Sequence, residues 1–393
     1  MNYSLYFHIP FCKKRCPYCD FNTNTGKESL IPEYIDGLIE EFRIVSKHIS
    51  KSSIHSIYFG GGTPSLVPVS EFERLLKAIE KQSLIQEKCE ISLEANPESV
   101  NLSYLRDLHA LGFNRISFGA QSTNATDLAR LGRTHTVEET LSAVEFARRA
   151  GFTNINLDLI NNLPWQDLES WKASLGRAVA LAPEHLSVYS LIIEQGTPFY
   201  EWHQRGLIAP QDEDLGADMF EFTMDYLEQA GYEHYEISNW AKKDPNKPYR
   251  CVHNLQYWMS QPYFGLGAGA HGFVDGSRTE NVGPIDSYLQ LITGVCKYYG
   301  NFPFTPVAVN VHKVDRMTRM KDFMWLALRL VKDGVSLSRF EKEFGLSALQ
   351  VFQEPIDALV HLELLEWHGG KEINLKLTRR GVMVANQVFM RFI

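Results

Sequence analysis

The chain has 393 residues, 44% apolar and 22% charged, enough to bury a large core and ordinary for a soluble globular protein. Its net charge of −8 excludes a general nucleic-acid binder, which needs a basic excess to neutralise phosphates. No run of about 18 apolar residues is present, which excludes a transmembrane helix. The N-terminus lacks an apolar signal region with a small-residue cleavage site, so the expected location is cytoplasmic.

In chain order, short β-branched and aromatic runs alternate with amphipathic stretches. Strands are expected at residues 4–9, 54–59, 90–94, 115–118, 154–158 and 186–191, with helices between them at 32–47, 69–81, 102–111, 137–150 and 168–182. Six strand–helix alternations predict a parallel sheet with helices outside, and in such folds chemistry gathers at the C-terminal strand ends. Residues 212–230 read as a further helix and 232–238 as extended. The stretch 241–283 is loop-like, rich in Gly, Pro and aromatics, and long enough to suggest a functional insert or lid. Helices at 317–332, 338–344 and 348–362 and a strand at 373–377 make a compact helical tail resembling a winged helix. The expected domains are 1–240, 241–309 and 310–393.

Cysteine usage is the strongest chemical signal. Cys12, Cys16 and Cys19 stand in one loop after the first strand, while Cys89, Cys251 and Cys296 are scattered, a pattern that fits a reducing compartment. Three thiolates leave one iron of a 4Fe–4S cube open, a place to bind and activate a small molecule. A zinc ribbon needs a second CxxC pair, which is absent. Lys13, Lys14, Arg15 and Pro17 between the cysteines argue against three buried structural thiols, and a disulfide would leave one thiol over.

The turn Gly60-Gly61-Gly62-Thr63-Pro64 follows the second strand and allows backbone to approach a ligand closely, though a plain tight turn would look the same. Glu94, Gln121, Arg133 and Asp158 stand at or after successive strand ends. A carboxylate there commonly caps the next helix.

His8-Ile9-Pro10-Phe11-Cys12-x-x-x-Cys16-x-Tyr18-Cys19 resembles the cluster loop of radical S-adenosylmethionine (radical SAM) proteins. The resemblance implies an α/β fold, a partial (β/α)6 barrel, with a 4Fe–4S cluster on Cys12, Cys16 and Cys19 whose open iron binds the amino and carboxylate groups of SAM. It places Tyr18 beside the cofactor and assigns Gly61, Gly62 and Thr63 to the SAM amino group. Glu94, Gln121, Arg133 and Asp158, with Tyr6 and Tyr18, match SAM contacts of the coproporphyrinogen-oxidase-like branch over most of residues 1–200. Arg133 is the partner implied for the methionine carboxylate and the acceptors serve the ribose hydroxyls.

Within that branch, the oxygen-independent coproporphyrinogen III oxidases carry a further cysteine two residues past the third cluster ligand and an extension before the cluster. Here the position is Phe21 and the chain starts on its first strand. Both features resemble the heme chaperones of the branch, as does His253-Asn254-Leu255-Gln256-Tyr257-Trp258, which matches their HNxxYW heme motif. Imidazole can ligate heme iron, aromatics can stack on the macrocycle and Arg250 could pair with a propionate, so His253 is the candidate ligand. The plain alternative is a histidine that braces the lid. The segment Gly265–His271 resembles the family stretch that runs over the SAM site, and His271 is noted there. The resemblance implies a heme chaperone that holds a cluster, SAM and heme and delivers heme to acceptor proteins, membrane respiratory enzymes among them. The alternative is oxidative decarboxylation of coproporphyrinogen III, so whether the chain is an enzyme stays open. Nucleic-acid modification is disfavoured, since beyond residue 310 thirteen Lys/Arg face ten Asp/Glu.

Overall fold

Six segments alternate polar and apolar side chains, and this period of two decides how the sheet is used. The computed structural model describes residues 2–48, 53–293, 302–369 and 373–393. Strands β1 (Asn2–Ile9), β2 (Ser53–Gly61), β3 (Leu84–Ala95), β4 (Arg115–Gln121), β5 (Ile155–Asn161) and β6 (His185–Ser190) lie side by side in chain order, all parallel. Helices α1 (Ile31–Ser46), α2 (Val69–Gln82), α3 (Leu102–Ala110), α4 (Val137–Ala150) and α5 (Leu168–Ala180) connect them. This is the expected α/β radical-SAM-type arrangement.

The register lines up two kinds of row. Leu5, Ile57 and Ile91 stand abreast, as do Phe7, Phe59, Leu93, Ile116 and Ile155, all buried. On the opposite face Ser4, Ser56 and Glu90 form one row, Tyr6, Tyr58, Ser92 and Arg115 the next, and Glu94, Ser117, Asn156 and His185 the third. The apolar rows build the core and the polar rows build the site. Ser4 and Ser56 hydroxyls meet at 2.5 Å, Asn156 donates to Ser117 at 2.6 Å, and His185 Nδ1–H donates to Asn156 Oδ1 at 2.6 Å.

Beyond β1 the sheet continues with β7 (Tyr263–Leu266), parallel to it, and then the antiparallel strands β8 (His271–Val274), β9 (Ser277–Asn281) and β10 (Ala308–Lys313). The stretch read as loop therefore holds three short strands. Four or five residues carry too little periodicity to be seen, and the pairing of β7 to β1 joins residues more than 250 apart in sequence.

The chain divides into two compact units, Met1–Gly216 with Pro262–Lys313, and Ala217–Gln261 with Val314–Ile393. The segment expected as one insert, 241–309, is thus shared between them. The second unit holds a hairpin, Tyr232–Glu236 and Asn239–Lys242, its first strand in the segment expected to be extended, and helix α6 (Val252–Trp258), in a stretch read as loop. A seven-residue helix is too short to display an amphipathic stripe. The tail follows as α7 (Arg316–Leu328), β11 (Val335–Ser336), α8 (Leu337–Phe344), α9 (Ala348–His361), β12 (Leu365–His368) and β13 (Asn374–Leu377), the three strands pairing in one small sheet. Helix α9 kinks at Phe352, three residues before Pro355, which lacks an amide hydrogen and crowds the preceding turn.

In the first unit a buried carboxylate ties α1 to the glycine-rich segment before β8. Glu41 accepts from Gly267 N–H at 2.8 Å, Tyr288 at 2.8 Å and Asn281 at 2.7 Å. Burial pushes its pKa up to about 7 and these donors pull it back. The folded carboxyl keeps its proton to higher pH than the unfolded one, so this group alone lowers stability as pH rises from 4.5 to about 7. Glu41→Ala leaves the Gly267 N–H and the Tyr288 hydroxyl without an acceptor, while Asn281 keeps Gly267 O, and is expected to destabilise by about 3 kcal/mol, read as a lower denaturant midpoint.

Candidate functional site

The loop after β1 is closed by its own backbone. Phe11–Cys12 pairs in parallel with Asn24–Thr25, Cys19 N–H donates to Cys16 O at 3.1 Å, and the Arg15 guanidinium donates to Cys19 O at 3.2 and 3.3 Å. Cys12 is buried and Cys16 and Cys19 are half-buried, while Lys13, Lys14 and Arg15 are exposed. Thr63 Oγ1 donates to Cys12 Sγ at 3.4 Å and Arg133 Nη1 to Cys16 Sγ at 3.5 Å. Burial pushes the Cys12 and Cys19 thiols up; for Cys19 the neighbouring Cys16 and Cys12 add to this. The three thiols are thus near enough to feel one another's charge. Among the described residues no three His, Cys, Asp or Glu side chains gather as one metal ion would need.

The glycine turn is bound to this loop. Gly62 N–H donates to Ile9 O at 2.9 Å and Thr63 N–H to Phe11 O at 2.8 Å. Gly61, at φ +111°, has the His8 ring lying where a Cβ would be, 2.4 Å away, so only glycine fits. Its N–H donates to Glu94 Oε2 at 3.0 Å, and Tyr58 donates to Glu94 Oε1 at 2.8 Å. With these amides engaged, what the turn has to offer a ligand amino group is carbonyl oxygen. Burial, then Asp158, push the Glu94 carboxyl up to about 7. Tyr6 donates to His8 Nδ1 at 2.9 Å, and His8 Nε2–H donates to Asn22 O at 2.8 Å, which fixes the tautomer and links strand to loop end.

Three other strand-end groups come together around Gly119. A Cβ built there would stand 2.9 Å from Gln121 Nε2, 3.4 Å from Arg133 Nη2 and 3.6 Å from Asn96 Oδ1. Arg133 Nη2 donates to Asn96 Oδ1 at 2.7 Å and to Gly119 O at 3.0 Å, and its buried Nε has no partner among the described residues. Burial works against its charge, but Tyr18, Cys16 and Glu98 outweigh it and its pKa rises. Gln121 sits at φ +62°, a left-handed conformation that a non-glycine residue adopts at a strain, as found at ligand sites. Asp158 accepts from Ser117 and Asn156, both at 2.8 Å; burial nonetheless pushes its carboxyl up. Tyr18 packs on the apolar cluster of Leu131, Ile160, Leu163, Leu191 and Phe199. Ligand chemistry fits this cup: an unspent buried guanidinium N–H, two carboxyls and three thiols at one end of the sheet.

A cavity beside the loop is lined by Lys13, Lys14, Cys16, Thr63, Asn96, Glu98 and Arg133. Asn96, Glu98, Tyr58 and His8 are the residues that sequence reasoning left without a role. Asn96 and Glu98 flank Pro97 directly after a strand, which reads as helix entry. For His8 the signal was there, in its place beside the cysteine loop.

His253 lies in the second unit and is not exposed as its proposed role leads one to expect. It is 1% exposed on α6, with Nε2 2.8 Å from the Tyr257 hydroxyl. At i and i+4 the two side chains share a helix face, which closes the ring onto its neighbour. Arg250 is engaged by Glu233 at 2.6 Å and Asp333 at 2.5 Å, and Arg329 stacks 4.2 Å over the Trp258 ring. His271 is exposed on β8. Cys89 and Cys251 are buried away from the loop's bonding, and Cys296 lies outside the described residues.

No helix among the described residues is long and apolar enough to cross a membrane. A family model described as the radical SAM superfamily matches residues 6–175, and one described as the HemN C-terminal domain matches residues 314–384. Proteins named heme chaperone HemW are similar along nearly the whole chain. That of Lactococcus lactis is 37% identical over 99% of this chain and 97% of its own, and that of Bacillus subtilis 35% identical over 99% of each. That of Haemophilus influenzae is 36% identical over 99% of this chain and 97% of its own. The solved structure of coproporphyrinogen III oxidase (HemN) from Escherichia coli, a radical SAM enzyme, superposes with a TM-score of 0.82 at 24% identity, covering 99% of this chain and 89% of that one.

The strain at Gln121 is testable without any ligand. Gln121→Gly relieves a left-handed backbone worth about 1 kcal/mol and is expected to hold or raise the denaturation midpoint. A lowered midpoint would mean that the side chain is kept for packing.

Proposed function

The chain belongs to the radical SAM superfamily and, within it, to the family of heme chaperone HemW proteins, and from that premise we propose that it is a heme chaperone. In this reading it holds a 4Fe–4S cluster on Cys12, Cys16 and Cys19, SAM in the cup beside them, and heme through His253. It passes heme to acceptor proteins, membrane respiratory enzymes among them, from the cytoplasm. The observation that carries the cofactor side is the convergence of three loop thiols with Arg133, Glu94, Gln121 and Asp158 at one end of the sheet. The observation that separates a chaperone from an oxidase is Phe21, 63% exposed two residues after Cys19, where the resemblance puts a cysteine in the oxidases.

When bound, a cluster with one open iron supplies electrons and a coordination site for SAM. The chain's own groups do the rest. Arg133, with Nε unspent, would pair with the methionine carboxylate, and its Nη2 bonds to Asn96 and Gly119 hold it in place. Gly61, Gly62 and Thr63 would face the amino group with carbonyl oxygens. Glu94 and Asp158 would accept from ribose hydroxyls, Gln121 would bond the same part of the ligand, and Tyr6 and Tyr18 would wall it. Heme ligation asks more of α6: the Tyr257 hydroxyl must leave Nε2 before iron can reach it.

Ala at Cys12, Cys16 or Cys19 is expected to abolish the broad cluster absorbance after anaerobic reconstitution, while Ala at Cys89, Cys251 or Cys296 keeps it. Loss in Cys251→Ala would break the ligand assignment. Arg133→Ala removes a charge-assisted bond and is expected to weaken SAM binding about ten- to a hundred-fold. Heme titration of the reconstituted protein, run beside an anaerobic assay with SAM and coproporphyrinogen III, decides between the activities. Binding without decarboxylation, weakened or spectrally altered by His253→Ala, is the expected result. Decarboxylation at a catalytic rate would establish an oxidase instead.

A further inference from the structure

Behind Arg133 lie two buried acceptors that face one another with no donor between them. His135 has a fully buried side chain, and its Nε2–H donates to Ala120 O at 3.1 Å. A carbonyl can only accept, so in the neutral ring Nδ1 is a bare lone pair. It stands 3.7 Å from Glu98 Oε2, and neither atom has a hydrogen-bond partner among the described residues. The other Glu98 oxygen is well served, accepting from Thr134 Oγ1 at 2.6 Å and lying 3.5 Å from Asn96 Nδ2. Asn96 in turn presents its Oδ1 to Arg133. Glu98 is therefore the hub that orients Asn96 and Thr134 about the guanidinium, and it lacks one proton toward His135.

We propose that Glu98 and His135 form a proton-accepting pair that positions Arg133, and that an anionic group binding to Arg133 drives proton uptake by the pair. The inference rests on the reading of Arg133 as the carboxylate partner of SAM. The groups facing His135 are Arg133 on its own loop, Glu98 from the turn Pro97–Ser99, Glu139 from the first turn of α4, and the Ala120 carbonyl on β4. Burial, and next Arg133, push the imidazole down to about 4, while Glu98, Ala120 O and Glu139 act the other way. An anion on Arg133 offsets the charge that opposes protonation, so the ring's proton affinity rises. The Nδ1–H so formed points at Glu98 Oε2, which closes the one open bond of the network and stiffens the hold on Asn96. Proton uptake and ligand binding are then linked in both directions.

The test is calorimetry of SAM binding to the cluster-reconstituted full chain, at mildly acid pH, in two buffers of different ionisation enthalpy. The SAM amino group gives up its own proton on coordinating iron, so the pair's uptake is read as a difference between proteins: the wild type is expected to take up on the order of half a proton or more per SAM bound beyond what the variants do. Glu98→Gln keeps an oxygen for Thr134 and brings an amide donor to His135 Nδ1, so it should bind SAM with only the ligand's own proton release. His135→Gln should do likewise, and circular dichroism checks that both variants fold. The same proton balance in the wild type and in both variants overturns the proposal while leaving Arg133 as the carboxylate partner. Absence of SAM binding by the wild type overturns that reading, and this one with it.

Discussion

A polar side chain turned toward the inside of a sheet loses water and must find its partner beside it, since an unmatched buried group costs about 1–3 kcal/mol. Much of this structure follows from that constraint. The inner rows of β1 to β6 are polar, and their members bond sideways from Ser4 and Ser56 through to Ser117, Asn156 and His185. The rows continue to the C-terminal strand ends, where Glu94 and Asp158 emerge with bonds already made on the sheet side. The site is the open end of a network that the sheet needs for its own stability, and its carboxyls are aimed by neighbours within the sheet.

The cysteine loop obeys the same economy through its backbone. Ile9 O, Phe11 O and Pro17 O accept from Gly62, Thr63 and Phe199, and Asn22 donates to Ala268 O at 2.9 Å and Gly283 O at 2.8 Å. Each end of the loop, and its middle, is therefore fastened to a different part of the first unit. The thiol spacing is set by these attachments before any cluster arrives, which is how a binding constellation is held within tolerance.

The six strands and their helices were legible because long segments repeat a period of two or about three and a half, and the cup was legible because its residues fall directly after those strands. Strands β7 to β9 and helix α6 were not, because four to seven residues carry little periodicity, and β7 pairs with β1 from the far end of the sequence. The same long-range pairing makes both compact units discontinuous, so a division drawn along the chain could not anticipate them. Asn96 and Glu98 went without a role because their neighbourhood, Pro97 after a strand, has a plainer explanation. The burial of His253 was invisible for a different reason: a histidine and a tyrosine four residues apart say that they can meet, not that the imidazole is removed from solvent.

The contact between His253 and Tyr257 gives the helix its own competitor for the imidazole. Because the hydroxyl is carried four residues away on the same short helix, it returns at the high effective concentration of an intramolecular partner. Any iron that seeks the same nitrogen binds only the fraction of molecules in which that contact is broken, and its apparent affinity falls by that fraction. Once the nitrogen is free the hydroxyl competes for it, and rebinding is disfavoured in the same measure.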